Sequence, residues 1–214
     1  MTPITTAPGT RPVLTDVHLP AETHGLVLFL HGGAEHGTDL LNARSRAWHR
    51  SRWMMRQVQE RLAAQRMGVA LLRYRVRGWN LGLEPEPSPV PDARWALDTL
   101  EQRYGLPVAL VGHSMGGRTG VAVAGHPTVR GVIALAPWLP AEDPVDPLAE
   151  RRLVAAHGSR DRITPASATR EFVARAAAVG DAEFVDMGPI GHYLLRRVGA
   201  WNDVVVAGSR RILA

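Results

Sequence analysis

Short apolar runs alternate along this chain with longer segments of helical periodicity. The runs predict strands over residues 12–19, 26–32, 68–75, 108–113, 131–138, 152–158 and 182–188. Most are apolar at successive positions, as strands buried on both faces of a parallel sheet must be. Segments with apolar residues three and four apart predict helices over 46–65, 91–104, 115–126, 165–179 and 192–213. The alternation predicts an α/β fold, a mostly parallel sheet of about seven strands with helices on both faces.

The length of 214 residues favours one domain over 1–214, large enough to bury a substantial core. The connection through "PWLPAEDPVDP" is too short for a cap domain. No unbroken apolar stretch is long enough to span a membrane, so we expect no stable membrane insertion. The first residues lack the pattern of a signal peptide, and the cytoplasm is the expected location.

Composition limits the chemistry and the partners. The absence of cysteine excludes disulfides, thiolate metal sites and a cysteine nucleophile. The formal charge of +5 comes from a chain whose 25 basic residues are all arginine, a bias typical of a GC-rich genome. Because the net excess of positive charge is small, we expect no nucleic-acid partner. The oligomeric state cannot be predicted from these features.

The sequence "VALVGHSMGGRTG" at 108–120 begins as a buried strand, breaks at glycines around Ser114 and resumes as a helix. Gly112 and Gly116 flank the serine at the G-x-S-x-G spacing of a nucleophile elbow, a tight turn between a strand and a helix. The turn would expose the hydroxyl at the carboxyl edge of the sheet, beside a helix N-terminus that favours negative charge. Ser114 is therefore predicted to be a catalytic nucleophile, with a structural turn serine as the alternative.

A serine hydroxyl needs a histidine to take its proton and an acid to orient that histidine. In this type of fold both follow the serine, in loops after later strands, with the acid first. Asp161 follows the strand predicted at 152–158, and His192 follows the strand predicted at 182–188. These two residues are the predicted acid and base.

Alternatives remain for each of these residues. Asp161 can instead cap the helix predicted to start near Thr164, or pair with a neighbouring arginine, and then Asp143 or Asp146 would be the acid. His192 can be a structural histidine. The remaining strand-end histidines are expected to pack or to form hydrogen bonds near the site rather than transfer protons: His31, His113 and His157.

The oxyanion formed by attack on a carbonyl needs backbone N–H donors. Met115 N–H should supply one, because it follows the serine. The second should come from "HGGAEHG" after the strand at 26–32, with Gly33 as first choice and Ala34 next. No metal or cofactor is expected.

Several residues are predicted to touch substrate. Arg75, Arg77 and Trp79 follow the strand at 68–75, and the arginines can meet a carboxylate or phosphate. Surface or loop-fixing roles are the alternative for all three. Trp138 follows another strand and is the preferred aromatic contact. The arginines of the first predicted helix are expected to form a solvated face: Arg44, Arg46, Arg50, Arg52 and Arg56.

Together, "HGG", "GHSMGG", "HGSRD" and "GH" resemble the oxyanion loop, elbow, acid loop and histidine loop of the α/β-hydrolases, over roughly residues 25–200. The short, lidless members grouped with dienelactone hydrolases, lysophospholipases and carboxylesterases are the most similar, although dienelactone hydrolases use a cysteine where Ser114 stands. The resemblance implies a serine hydrolase of a carboxylic ester, lactone or thioester, with a small-molecule acyl substrate. Acyl transfer or cyclisation on the same site, or a catalytically silent binding protein, are the alternatives.

Overall fold

The computed structural model describes residues 11–214. Its strands are β1 (Val13–His18), β2 (Gly25–Leu30), β3 (Met67–Arg73), β4 (Val108–His113), β5 (Val129–Leu135), β6 (Arg152–His157) and β7 (Asp181–Asp186). Its helices are α1 (Arg46–Ala63), α2 (Pro89–Tyr104), α3 (Met115–Ala122), α4 (Ala166–Ala176) and α5 (Val198–Leu213). The alternation of strands and helices predicted from the sequence is confirmed.

The strands form one sheet in the order β1-β3-β2-β4-β5-β6-β7. β1 pairs antiparallel to β3 at one edge, and the remaining neighbours are parallel. The carboxyl ends of the six parallel strands therefore lie along one rim, where their loops meet. Because β2 and β4 are adjacent near the centre, the loops after these two strands lie side by side.

Side chains alternate between two core layers along each buried strand. In β2, Leu26, Leu28 and Leu30 pack into the layer that contains α2, α3 and α4. Val27 and Phe29 pack into the opposite layer, with α1 and α5. Residues on both faces of β2 are almost fully buried, which explains the unbroken apolar run at this position. The sheet with helices on both faces is as predicted.

The predicted start of the last helix lies several residues before the observed start. The helical pattern predicts a helix over 192–213, whereas α5 starts at Val198; His192 lies in the loop before α5, where its position after the strand at 182–188 predicted it. Leu194 and Arg197 have positive φ values of 62° and 54°, which interrupt any helix. Leu194 is buried in the core layer that contains α1 and α5, so its apolar side chain anchors a loop. Its spacing from the apolar residues of α5 matched a helical pattern although the residue is not in the helix.

No cap domain covers the strand ends in the part of the chain that the structure describes. The connection between β5 and β6 contains only a short 3-10 helix, Asp146–Leu148. The rim that carries the loops after β4, β6 and β7 is therefore open. Within residues 11–214, no helix is long and apolar enough to cross a membrane.

Candidate active site

Ser114 stands between the end of β4 and the start of α3 in a sharp, strained turn. Its φ of 55° and ψ of −119° lie in a region that residues with a side chain rarely adopt. A Cβ on Gly112 would collide with the backbone of Gly116, and one on Gly116 would collide with the backbone of Leu30. Both glycines are therefore required by close backbone contacts, and the turn places the serine hydroxyl at the open rim.

Ser114, His192 and Asp161 are joined by a continuous chain of hydrogen bonds. His192 Nε2 lies 3.0 Å from Ser114 Oγ, and His192 Nδ1 lies 2.7 Å from Asp161 Oδ2. The carboxylate accepts the Nδ1–H, so the neutral imidazole presents Nε2 as the acceptor for the serine O–H. The side chain of Asp161 is fully buried and that of His192 nearly so. Three loops distant in sequence thus meet at one point.

The two oxygens of Asp161 have separate partners. Oδ1 accepts the backbone N–H groups of Ile163 and Thr164, at 2.8 and 3.0 Å. Oδ2 accepts hydrogen bonds from His192, from His157 Nε2 at 3.0 Å and from the Thr164 hydroxyl at 3.1 Å. Burial opposes ionisation, but these hydrogen bonds outweigh it and hold the pKa of Asp161 well below its usual range. The carboxylate beside His192 is therefore charged at neutral pH.

The contacts of the three candidate acids differ. Asp161 does fold back on the loop that leads to α4, as the capping interpretation expected, and it accepts that loop's backbone N–H groups with Oδ1 alone. Within residues 11–214 it forms no ion pair with an arginine. Asp143 instead pairs with Arg118 at 2.6 Å, and Asp146 begins the short 3-10 helix between β5 and β6. Neither of these two replaces Asp161 at His192.

His157 and His113 support the site through hydrogen bonds. His157 Nδ1 accepts the hydroxyl hydrogen of Thr169 at 2.8 Å, which leaves Nε2–H to donate to Asp161. His113 Nε2–H donates to the backbone carbonyl oxygen of His192 at 2.9 Å. Burial, aided by the neighbouring His192, lowers the pKa of His113 to about 3, so it stays neutral. One histidine holds the acid in place and the other holds the loop that carries His192.

The backbone N–H groups of Gly33 and Met115, which lie beside Ser114, have no acceptor among the described residues. The N–H of Ala34 donates to the carbonyl oxygen of Arg77 at 3.1 Å. A Cβ on Gly33 would collide with that same carbonyl and with the Met115 side chain. Gly33 and Met115 are therefore available as a donor pair, whereas the N–H of Ala34 is occupied.

His31 fixes the loop that carries Gly33. Its Nδ1–H donates to the carbonyl oxygen of Gly32 at 2.6 Å, and its Nε2 accepts the N–H of Tyr74 at 3.3 Å. This pattern requires the neutral ring, and burial lowers the pKa of His31 to about 4. The histidine joins the loop after β2 to the chain leaving β3.

The segment after β3 pairs along the loop after β2 over several residues. Trp79 N–H donates to Ala34 O at 2.9 Å, and Gly78 N–H donates to Gly37 O at 2.8 Å. Arg75 anchors this segment to α2, because its Nε and its backbone N–H both donate to Asp92, at 2.5 and 2.8 Å. Arg75 therefore occupies a loop-fixing position rather than one facing the serine.

A cleft of about 220 Å³ lies over Ser114. Its lining consists of Gly33, Ala34, Glu35, Ser114, Met115, Trp138, Ile163 and Thr164. Ala34 and Trp138 were expected at this position, and the structure places both there. Ile163 and Thr164 were missed by sequence reasoning, although their positions two and three residues after the predicted acid were the available signal.

The remaining predicted contacts lie outside this cleft. Trp79 is buried and packs edge-on to Trp138, with ring centroids 6.1 Å apart. The guanidinium of Arg118 lies 4.2 Å from the centroids of both tryptophan rings and binds Asp143. Arg77 lines a separate cavity that also borders Gly33.

The sequence matches the family described as "Alpha/beta hydrolase family" over residues 27–212. The match covers most of the chain, and the protein belongs to this family. A search of curated protein sequences finds no match.

Solved structures with the same fold include a homologue of alpha-beta serine hydrolases from Coxiella burnetii. It is 15% identical with a TM-score of 0.68, over 95% of this chain and 94% of that chain. Est1E from Butyrivibrio proteoclasticus, with ferulic acid bound, is 14% identical with a TM-score of 0.69, over 94% and 95%. An α/β serine hydrolase without lid from Xanthomonas campestris is 15% identical with a TM-score of 0.63, over 91% and 87%. At these identities the likeness shows the shared fold.

Proposed function

We propose that the protein is a serine hydrolase that cleaves a carboxylic ester, thioester or lactone through an acyl-serine intermediate. The observation that carries the proposal is the chain of hydrogen bonds from Ser114 through His192 to Asp161. A hydroxyl, an imidazole and a buried carboxylate in this order are the groups that nucleophilic acyl transfer requires. The free N–H pair beside the serine supports the same reaction.

In the first half-reaction, Ser114 Oγ attacks the carbonyl carbon while its proton passes to His192 Nε2. The carbonyl oxygen becomes an oxyanion and accepts hydrogen bonds from the N–H groups of Gly33 and Met115. Collapse of this intermediate breaks the bond to the alcohol or thiol, which leaves with the proton from His192. The acyl group is then bonded to Ser114.

In the second half-reaction, water gives a proton to His192 Nε2 and attacks the acyl carbon. The second oxyanion uses the same two donors, and its collapse returns the proton to Ser114 and releases the carboxylic acid. Asp161 stays ionised throughout and stabilises the imidazolium through Nδ1–H. Every catalytic group in this mechanism comes from the chain itself.

The open rim favours water over a second alcohol as the acyl acceptor. Transferases and cyclases gain by excluding water from the acyl-enzyme, whereas the described residues of this protein include no cap over Ser114. Hydrolysis incorporates solvent oxygen into the acid product, so turnover in water enriched in heavy oxygen identifies the acceptor. Unlabelled ester or cyclic product would point to transfer or cyclisation instead.

Covalent labelling with a fluorophosphonate tests the proposed nucleophile directly. Wild-type protein should label at Ser114 and hydrolyse activated esters or thioesters, and Ser114→Ala should do neither while unfolding at a similar temperature. Thr99→Ala, on the exposed face of α2, is a matched control for loss of a hydroxyl. Equal, poor labelling of wild type and Ser114→Ala would indicate a catalytically silent protein.

A further inference from the structure

A second cavity, of about 440 Å³, also borders Gly33. Its lining consists of Gly32, Gly33, Leu41, Ser45, Arg46, Ala47, Arg50 and Arg77. The two arginines of α1 come from its first two turns, and Arg77 comes from the segment that pairs with the loop after β2. Gly33 lines both this arginine cavity and the cleft over Ser114, so the two spaces adjoin the same loop after β2.

The charge in the arginine cavity is not compensated by the protein. Within residues 11–214, the guanidinium groups of Arg46, Arg50 and Arg77 form no ion pair and no hydrogen bond. Two neighbours on the same helix differ, because Arg52 and Arg56 both pair with Asp16. The arginines of α1 were expected to form one solvated face. Instead, Arg52 and Arg56 form ion pairs with Asp16 of β1, whereas Arg46 and Arg50 line the cavity without an ion pair among the described residues.

Arg50 is linked to the proposed catalytic groups through one aromatic ring. Its guanidinium is 4.7 Å from the centroid of the Tyr193 ring, and that ring packs edge-on to His192 with centroids 5.5 Å apart. The residue is half-buried, and burial lowers the pKa of Arg50 because no acid offsets it. A partly buried cation without an acid partner costs stability, and an anion in the cavity would remove that cost.

We propose that the arginine cavity binds an anionic group, a carboxylate or a phosphate, carried by the substrate whose carbonyl reacts at Ser114. Guanidinium groups hold both kinds of anion through paired N–H donors, which fixes the orientation of the bound group. This inference rests on the proposed hydrolase function and adds the class of substrate. The anion anchors one end of the substrate while Gly33 and Met115 hold the carbonyl at the other.

Two pairs of probes test the proposal and separate the two anions. The 4-nitrophenyl monoester of glutaric acid and 4-nitrophenyl pentanoate have acyl chains of equal length and differ by a terminal carboxylate. Pentanoyl-phosphopantetheine and pentanoyl-pantetheine differ by a phosphate on the leaving group. We expect kcat/KM about 10- to 100-fold higher for the anionic member of at least one pair, the range of a few charge-assisted hydrogen bonds. The preference should weaken as sodium chloride is raised.

Substitutions locate the effect. Arg50→Gln, Arg77→Gln and Arg46→Gln should each reduce the ratio of kcat/KM for the anionic probe to kcat/KM for its neutral partner. Arg56→Gln, on the same helix but outside the cavity, is the matched control and should keep the preference. Arg46 and Arg77 are exposed, so their variants remain informative should Arg50→Gln unfold.

The outcomes separate this inference from the proposed function. Hydrolysis of the neutral esters that depends on Ser114, with equal kcat/KM for both members of each pair, overturns the arginine cavity as an anion site and leaves the hydrolase intact. A preference that survives all three substitutions also overturns it. Loss of all hydrolysis together with absent fluorophosphonate labelling overturns the proposed function itself.

Discussion

At the scale of single residues, Asp161 accepts the backbone N–H groups of its loop with Oδ1 and the Nδ1–H of His192, the proposed base, with Oδ2. Asp161→Asn keeps one carbonyl oxygen for the turn but removes the charge beside His192. We expect kcat to fall about 10⁴-fold, against about 10⁶-fold for Ser114→Ala, because the neutral amide no longer stabilises the imidazolium. Steady-state kinetics on an activated ester measures both. A kcat for Asp161→Asn equal to that of the wild type would show that Asp161 is not the catalytic acid.

His157 is a positioning residue in this arrangement, since its Nε2–H bonds Asp161 Oδ2 and touches nothing that reacts. His157→Phe should lower kcat about tenfold with KM unchanged, from the loss of one hydrogen bond to a buried charge. His157→Gln, whose amide can donate in the same direction, should restore part of kcat. Urea unfolding of both variants separates this effect from simple destabilisation, and a fully active, folded His157→Phe would contradict it.

The proposed catalytic residues were predictable because the chemistry dictates both residue type and order. In a chain without cysteine, a serine between close-packed glycines, followed by an acid and then a histidine, each after a strand, matches an elbow at a parallel rim. The residues that contact these catalytic candidates were harder to predict from the sequence. The hydroxyl of Thr164 and the side chain of Ile163 enter the site through the backbone turn around Asp161, which the residue types alone do not specify.

At the scale of elements, the Arg75–Asp92 pair fixes the segment that pairs with the loop carrying Gly33. Asp92 is 2% exposed, and burial raises its pKa despite the arginine. Arg75→Ala leaves this carboxylate buried and unpaired, at a cost of about 3 to 5 kcal/mol in the free energy of unfolding. We also expect kcat for a neutral ester to fall, because Gly33 loses its support.

Urea unfolding and ester kinetics on Arg75→Ala, Asp92→Ala and the double variant check this prediction. The double variant should be less destabilised than the sum of the two single variants, since the partners interact directly. Arg94→Ala, which breaks an exposed pair with Glu86, is the control and should change stability by less than about 1 kcal/mol. Strict additivity of the two single changes would refute the coupling.

Strand positions were predicted well and one helix start was not, for a physical reason. A strand buried on both faces needs a short, continuous apolar run, and a run of that length between turn residues is typical of a parallel strand. Loop residues that anchor to the core also carry apolar side chains, as Leu194 does, and they extend a helical pattern beyond its true start. Positive φ values at Leu194 and Arg197 prevent the helix from starting earlier, but leucine and arginine are not residue types that indicate a turn in a sequence.

At the scale of the whole molecule, two buried neutral histidines link folding to pH. Burial lowers the pKa of His31 to about 4 and that of His113 to about 3, from an ordinary value near 6.5. The unfolded chain takes up protons below pH 6.5 while the folded chain does not, so stability is full above 6.5 and declines as pH falls towards 4. Each histidine contributes up to about 1.4 kcal/mol per pH unit.

Urea unfolding at several pH values between about 7.5 and 4.5 measures this slope. His113→Asn should reduce the slope by about half, since one of the two histidines remains. Thr99→Ala, which removes no titratable group, is the control and should leave the slope as in wild type. A stability that is constant across this range would contradict the assignment of neutral, buried rings.

The open rim also affects which molecules can carry the acyl group. An enclosing cap would set an upper limit on the size of the whole substrate, whereas here only the portion near Ser114 must fit between protein walls. An acyl group attached to a polysaccharide or to a carrier protein can reach the serine as readily as one on a small alcohol. Selectivity for such a bulky donor then depends on the portion of it that lies in the cleft over Ser114 and in the arginine cavity.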